Sequence, residues 1–600
     1  MNKVLRLPKR SDVKTADTWD LSTLCASEQD WEQQFKKLEK LISGFDKFRG
    51  KLGDGAKTVL AFLKFDADFD KLAENVGGYA HLRVTEDQTN NAAQSMVAKF
   101  QNLATKASQA ASYFRPELLA LPEAKLQEYL ASKELKAWKL VLERIIRYKP
   151  HTLSPREEEI VAMQGEMAGA ANQAFRQLLD SDLKFGNVKD EKGQQVELSN
   201  STFMKLLVSP DRKVRKTAFH QYYEQFKGHE NTLAATLNGS IQKDVYYSKV
   251  RGFTSAREGA LFPDNVPTAV YDNLIAAVRK NLPAVHQYYD VRRRKMKLKD
   301  IHHYDTYVPI LSDLEVKRTW NQAVKLVMES LQPLGSEYCS VLEEGLLGRW
   351  CDRYPNQGKN SGAFSSGNYT GYPYILMNYK EDVFNDVFTL THEAGHSMHT
   401  WHSAKHQPYQ YYGYVIFVAE VASTFNEMLL SHHLIKQAKD KRQRAYLINR
   451  EIDDIRGTVI RQTMFAEFEK ITHAMAEAGE PLTVQSMRSA YRDLLDAYFG
   501  PNFAIDEDLS LECFRIPHFY RAFYVYKYAT GLSAAIALSR KVLNGGPAEL
   551  ASYLTFLKGG CSKDPLDLLR DAGVDMEKPE AVDTTLAHFN SLVKELDELL

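Results

Sequence analysis

The sequence is that of a mainly α-helical protein. Three observations predict this: apolar residues recur at steps of three and four along much of the chain, helix-start signals sit where such runs begin, and strand-like alternation is nearly confined to one short stretch. The first run is Trp31, Phe35, Leu38, Leu41, Ile42 and Phe45, the period of an amphipathic helix. Leu135, Trp138, Val141, Leu142, Ile145 and Ile146 repeat it, and the run stops at Pro150. A new start follows at Ser154, whose hydroxyl can accept from first-turn amides. Pro155 suits the first helical position and Glu157 can reach back, so a helix is predicted to begin at Pro155. The best strand pattern is Tyr372 to Tyr379, YPYILMNY, entered from the Gly/Ser/Asn-rich segment SGAFSSGNYTG.

Six hundred residues suffice for several cores or for one large helical enzyme with an appended part. Basic and acidic residues balance at 77 each, so no global field points to a nucleic acid or a membrane surface as partner. Five scattered cysteines, odd in number and without metal-ligand spacing, argue against a disulfide framework and a thiolate metal site. The amino terminus lacks the apolar stretch of a secretory signal, and no segment approaches the length of a membrane span; a cytoplasmic protein is expected. Polar, glycine-bearing breaks fall at 190–195 and 359–371. The first is taken as a boundary between an amino-terminal helical domain, 1–200, and a larger part, 201–600, that carries the chemistry.

The chemistry is concentrated in Asp386-Val-Phe-Thr-Leu-Thr-His392-Glu393-Ala-Gly-His396-Ser-Met-His399. On a helix, positions i and i+4 stand one above the other, so His392 and His396 can aim two imidazoles at one zinc ion. Glu393 projects about 100° around the helix, beside the ligands. There it can act as general base on a zinc-bound water whose pKa the metal has lowered. Leu390, Ala394 and Met398 give this helix the apolar stripe of a buried element. A catalytic zinc wants a third protein ligand, and three residues compete. His402 would serve in a motif with Gly at 399, but His stands there, so the helix should continue and carry His402 away. His399 lies on the same rigid helix and fits better as a partner of a ligand or of substrate. Glu420, in the apolar run YGYVIFVAEVASTFNEMLLSHHL, would be costly to bury without a positive partner, which a zinc ion supplies. Glu420 is therefore the expected third ligand. Glu427, seven residues on along the same face, can hydrogen-bond a ligand imidazole.

HEAGHSMHTWHS followed by FVAEVASTFNE resembles the thimet-oligopeptidase family of zinc peptidases, and specifically its bacterial oligoendopeptidase F branch. ALFPDNVP (260–267), PYILMNY (373–379), IPHFYRAFYVYKYATG (516–531) and GGCSKDPLDLLRDAGVDM (559–576) are similar to that branch as well. The likeness is strong over about 200 to 600. It implies a clam-like, mainly helical zincin with a deep channel that admits oligopeptides and holds one zinc ion per chain. It also implies a short strand beside the metal that pairs with substrate backbone, here Tyr374, Ile375, Leu376, Met377, Asn378 and Tyr379. Finally it implies a histidine with nearby tyrosines as donors to the tetrahedral oxyanion. That segment holds His518, Tyr520, Tyr524 and Tyr528, the tyrosines sharing one face if the segment is helical. Hydrolysis of internal bonds of short peptides is the expected activity. A dipeptidyl carboxypeptidase, or a helical peptide-binding protein with a vestigial motif, are the competing readings.

Overall fold

The computed structural model describes residues 6–311, 314 and 316–600. Its residues are 71% helical and 3% in strands, so the helical class holds. The chain divides into two compact units. One collects Met1–Thr152, Glu315–His433 and Leu538–Gly573; the other collects Leu153–Leu314, Leu434–Ala537 and Val574–Leu600.

In the first unit, Ser27 accepts from the Asp30 amide and starts the helix Glu28–Leu41, which buries Trp31 and Leu38. The chain then tightens into a 3-10 turn over Ile42–Lys47 that buries Phe45, so one periodic run makes two elements. The second run likewise splits, into a 3-10 turn Lys136–Trp138 and a helix Lys139–Ile146. These elements enclose an apolar core with the long helix Ala56–Glu86, and Tyr374 and Leu376 belong to it.

Tyr374 and Leu376 lie on a three-stranded sheet, and here the expected substrate strand needs correction. Only Tyr374–Leu376 is strand, and it is the central one, parallel to Cys351–Asp352 and antiparallel to Phe364–Ser366. Ile375, Met377 and Tyr379 donate their amides to Trp350, Asp352 and Arg353 carbonyls, and the Asn378 side chain donates to Asn360 and Gly362. Tyr374, Ile375, Leu376, Met377 and Tyr379 are buried. With both flanks of this strand paired, 374–376 has no edge to offer a peptide. The edges are Cys351–Asp352 and Phe364–Ser366, the latter inside the segment 359–371 that reads as a break.

In the second unit the helix at Pro155 forms as expected: Glu157 N–H donates to Ser154 Oγ, and Ser154 N–H to Glu157 Oε2 at 2.9 Å. The polar segment at 190–195 is the turn of a β-hairpin, Asn187–Lys189 against Gln195–Glu197. The helix Thr268–Lys295 packs along the helix Glu580–Leu599, with Tyr288 edge-on to Phe589. All five cysteines are unpaired, four of them buried. No helix among the described residues is long and apolar enough to cross a membrane.

One helix carries a strained charge pattern. Asp66 and Glu74, both on Ala56–Glu86, are each pushed up to about 7 by burial, with Asp70 adding repulsion. A carboxyl whose folded pKa lies above its unfolded value favours the fold while neutral, and that contribution is lost as pH rises from about 4 through about 7. Asp66→Asn should therefore raise the melting temperature at about pH 8 and leave it nearly unchanged at about pH 4. Thermal scans at the two pH values measure this, and an equal shift at both would contradict it.

Candidate metal centre

The helix Asn385–His406 sets His392 and His396 one turn apart, their rings 4.8 Å between centroids and their Nε2 atoms 3.2 Å apart. The helix Ile416–Lys436 brings Glu420 to them, its Oε2 lying 3.4 Å from His392 Nε2 and 3.6 Å from His396 Nε2. An ion held tetrahedrally by nitrogen and oxygen at about 2.0–2.1 Å keeps its ligand atoms about 3.3–3.4 Å apart, and the observed triangle brackets that value. The donor set fits zinc as well, since two imidazole lone pairs and a carboxylate oxygen converge where only a cation or a proton relieves them. Burial lowers the His392 pKa, but hydrogen bonds to Glu420 and Glu427 outweigh it and push it up to about 10. Burial works in the opposite sense on Glu420, and the two imidazoles hold its carboxyl well below the usual range.

Two further contacts orient the triad. His392 Nδ1 meets Glu427 Oε1 at 2.7 Å, so Glu427 accepts the Nδ1 proton and Nε2 is the ring nitrogen turned to His396 and Glu420. Ser423 Oγ donates to Glu420 Oε2 at 3.2 Å. Glu427 thus sits where the spacing predicts. The closeness of the two helices depends on Gly395. A Cβ there would lie 2.6 Å from both Ala422 O and Ser423 Cα, so only glycine admits this crossing. The available signal was the cost: glycine inside a helix is worse than alanine by about 1 kcal/mol and needs a packing reason.

Glu393 is buried beside the triangle. Burial raises its pKa, against the pull of both imidazoles and of a backbone hydrogen bond at Ser365. Ser365 belongs to the edge strand Phe364–Ser366, opposite Ile375, whose own amide turns to the other neighbour; the Ser365 backbone therefore faces outward. Its hydroxyl lies 2.8 Å from Ser397 Oγ on the metal-motif helix.

The other histidines of that helix do not join the triad. The helix continues to His406, so His402 is carried away, buried against Tyr338, its pKa pushed down to about 3 by burial. His399 is corrected from its expected role as a ligand's partner. It is a packing residue, stacked flat on Tyr414 at 3.8 Å and tilted against Phe556, and burial keeps it neutral.

In the second unit, His518, Tyr524 and Tyr528 come together. His518 Nδ1 contacts the Tyr524 hydroxyl, and the Tyr524 and Tyr528 rings are 5.8 Å apart. All three are partly exposed. Burial and Arg176 lower the His518 pKa, while burial pushes Tyr524 up to about 12, so the phenol stays a donor. Tyr520 is corrected: its ring stacks on Phe175 at 4.0 Å and its hydroxyl is engaged with Thr236 Oγ1 at 2.8 Å, in the core. The shared face assumed a helix through 520–528, but the α-helix begins only at Tyr526.

In sequence and fold the chain is similar to known peptidases. A family model described as Peptidase family M3 matches residues 205–588, and one described as Oligopeptidase F matches 117–185. Oligopeptidase PepF of Bacillus subtilis is 43% identical over 602 residues, covering 100% of this chain and 89% of its own. An oligoendopeptidase F homolog of Borreliella burgdorferi is 39% identical, covering 98% of this chain and 99% of its own. The crystal structure of oligoendopeptidase-F from Enterococcus faecium is similar with a TM-score of 0.72 at 32% identity, covering 96% of this chain and 99% of that one. By class the protein is a metalloendopeptidase. It belongs to peptidase family M3, in the oligoendopeptidase F branch.

Gly395→Ala should drive the two helices apart and lower metal affinity at least about tenfold, with helical content retained; competition with a chromophoric chelator measures it. Glu427→Gln should weaken metal binding or activity about 10- to 100-fold by loosening the His392 ring.

Proposed function

We propose that the chain is a zinc-dependent oligoendopeptidase that cuts internal bonds of short peptides. The observation that carries the reading is the triangle of His392, His396 and Glu420 with Glu393 buried at its side. His392, His396 and Glu420 would hold one zinc ion, which supplies Lewis acidity to the scissile carbonyl and to water. Glu393, its carboxyl raised above the usual carboxylate value by burial, takes the proton of the attacking water and returns it to the leaving amine. His518 and Tyr524 serve as donors to the oxyanion, supported by their mutual contact and by the family's use of this segment; the Tyr528 ring packs edge-on to Tyr524. The outward flank of the edge strand Phe364–Ser366, where Glu393 engages the Ser365 amide, suits main-chain pairing with an extended peptide, which fits broad sequence tolerance. That function moves from 374–379 to the neighbouring strand.

Glu393→Gln should retain zinc and lower kcat/KM by about 10²- to 10⁴-fold on a quenched fluorescent peptide. Cutting by the variant at the wild-type rate would remove Glu393 from the chemistry. Peptides blocked at both ends should be cleaved at internal bonds, with fragments mapped by mass spectrometry. Release confined to carboxy-terminal dipeptides of unblocked peptides would instead favour a dipeptidyl carboxypeptidase.

A further inference from the structure

We propose that Glu469 is a positioning residue: its buried carboxyl holds the left-handed backbone at Phe523 and thereby sets the Tyr524 hydroxyl against His518. The proposal rests on the reading of His518 and Tyr524 as catalytic donors.

Phe523 has φ of 63°, one of three non-glycine residues with positive φ among the described residues. A bulky side chain is strained there, and such a conformation persists only where its surroundings enforce it. The enforcing groups all lie in the second unit. The Phe523 amide donates to Glu469 Oε2 at 3.2 Å, and its ring packs 4.5 Å from the His473 ring and 5.9 Å from Tyr271. His473 is itself fixed through Nδ1 to the Glu469 carbonyl, one turn back on the helix Arg461–Glu477. Tyr271 donates to the Ala466 carbonyl at 2.6 Å and stands 3.5 Å from Glu469 Oε2.

The turn decides which way consecutive rings face. Phe523 is 2% exposed, whereas the next residue, Tyr524, is partly exposed and meets His518. Relaxation of Phe523 to negative φ would swing Tyr524 away from the imidazole. Glu469 is 1% exposed and its Oε1 has no hydrogen-bond partner. Burial keeps its carboxyl well above the usual range, and what opposes the shift is the Phe523 amide and the Tyr271 hydroxyl rather than a cation. A buried acid with one oxygen left bare is expensive as a packing device. As the acceptor for the otherwise orphaned amide of the strained residue Phe523, it has a reason to be there.

The test is kinetic, on the zinc-loaded full chain, with metal content and melting temperature recorded for each variant. Glu469→Gln keeps an acceptor of the same length and should hold kcat within about threefold of wild type. Glu469→Leu, which has none, should lower kcat about tenfold or more with KM changed less than about threefold. Glu469→Asp, which falls short by one methylene, should behave like Glu469→Leu and serves where that variant does not fold. Tyr524→Phe combined with the slow Glu469 variant should be no slower than Tyr524→Phe alone, because both remove one placement. Additive losses would mean that Glu469 acts elsewhere and overturn the proposal, as would Glu469→Gln losing kcat like Glu469→Leu. If Tyr524→Phe is slow while Glu469→Leu and Glu469→Asp match wild type, the positioning role alone fails. If Tyr524→Phe matches wild type, the donor reading fails and the positioning role with it.

Discussion

The metal centre depends on how closely two helix backbones cross. A carboxylate cannot reach from Ile416–Lys436 to the imidazoles of Asn385–His406 unless the chains meet near van der Waals contact, and the missing side chain of Gly395 permits that. Once the crossing is fixed, helical geometry does the rest. Two nitrogens a turn apart and one oxygen form a triangle with sides between 3.2 and 3.6 Å, and the residue after the first histidine falls beside it. The small three-stranded sheet contributes through its outer strand, which bonds to the same helix at Ser365 and Ser397 and turns the Ser365 backbone towards Glu393, to which it hydrogen-bonds.

The His518–Tyr524–Tyr528 cluster is built on the opposite logic. The metal site relies on regular helix, whereas this cluster relies on a break in regularity: a 3-10 turn, a left-handed residue, and only then a helix. Regular elements place groups at fixed spacings along one face. An irregular turn can present neighbours in opposite senses, burying Phe523 while leaving Tyr524 open.

What could be read from the residues follows the same division. His392, His396, Glu393 and Glu427 were legible because their positions follow from the helical period, and Glu420 because a carboxylate in an apolar run asks for a cation. Gly395 was not, because its importance lies in a neighbour distant in sequence. Phe364–Ser366 was not, because a three-residue strand of Phe-Ser-Ser is made by pairing and has no propensity signature. Tyr374 to Tyr379 read as the exposed strand because its alternating pattern resembles one, yet a strand buried on both faces and paired on both flanks produces much the same composition. A shared face for Tyr520 and Tyr524 requires one helix, where the chain makes a 3-10 turn and a left-handed reversal.

His392 is gripped at both ring nitrogens from a single rod: Glu420 faces one and Glu427 the other. Any sliding of that rod along its axis shifts both acidic groups together, so retention of the ion becomes a gauge of helix register. A small molecule that wedged between the two backbones, without approaching the peptide site at all, would silence the enzyme by letting its metal escape.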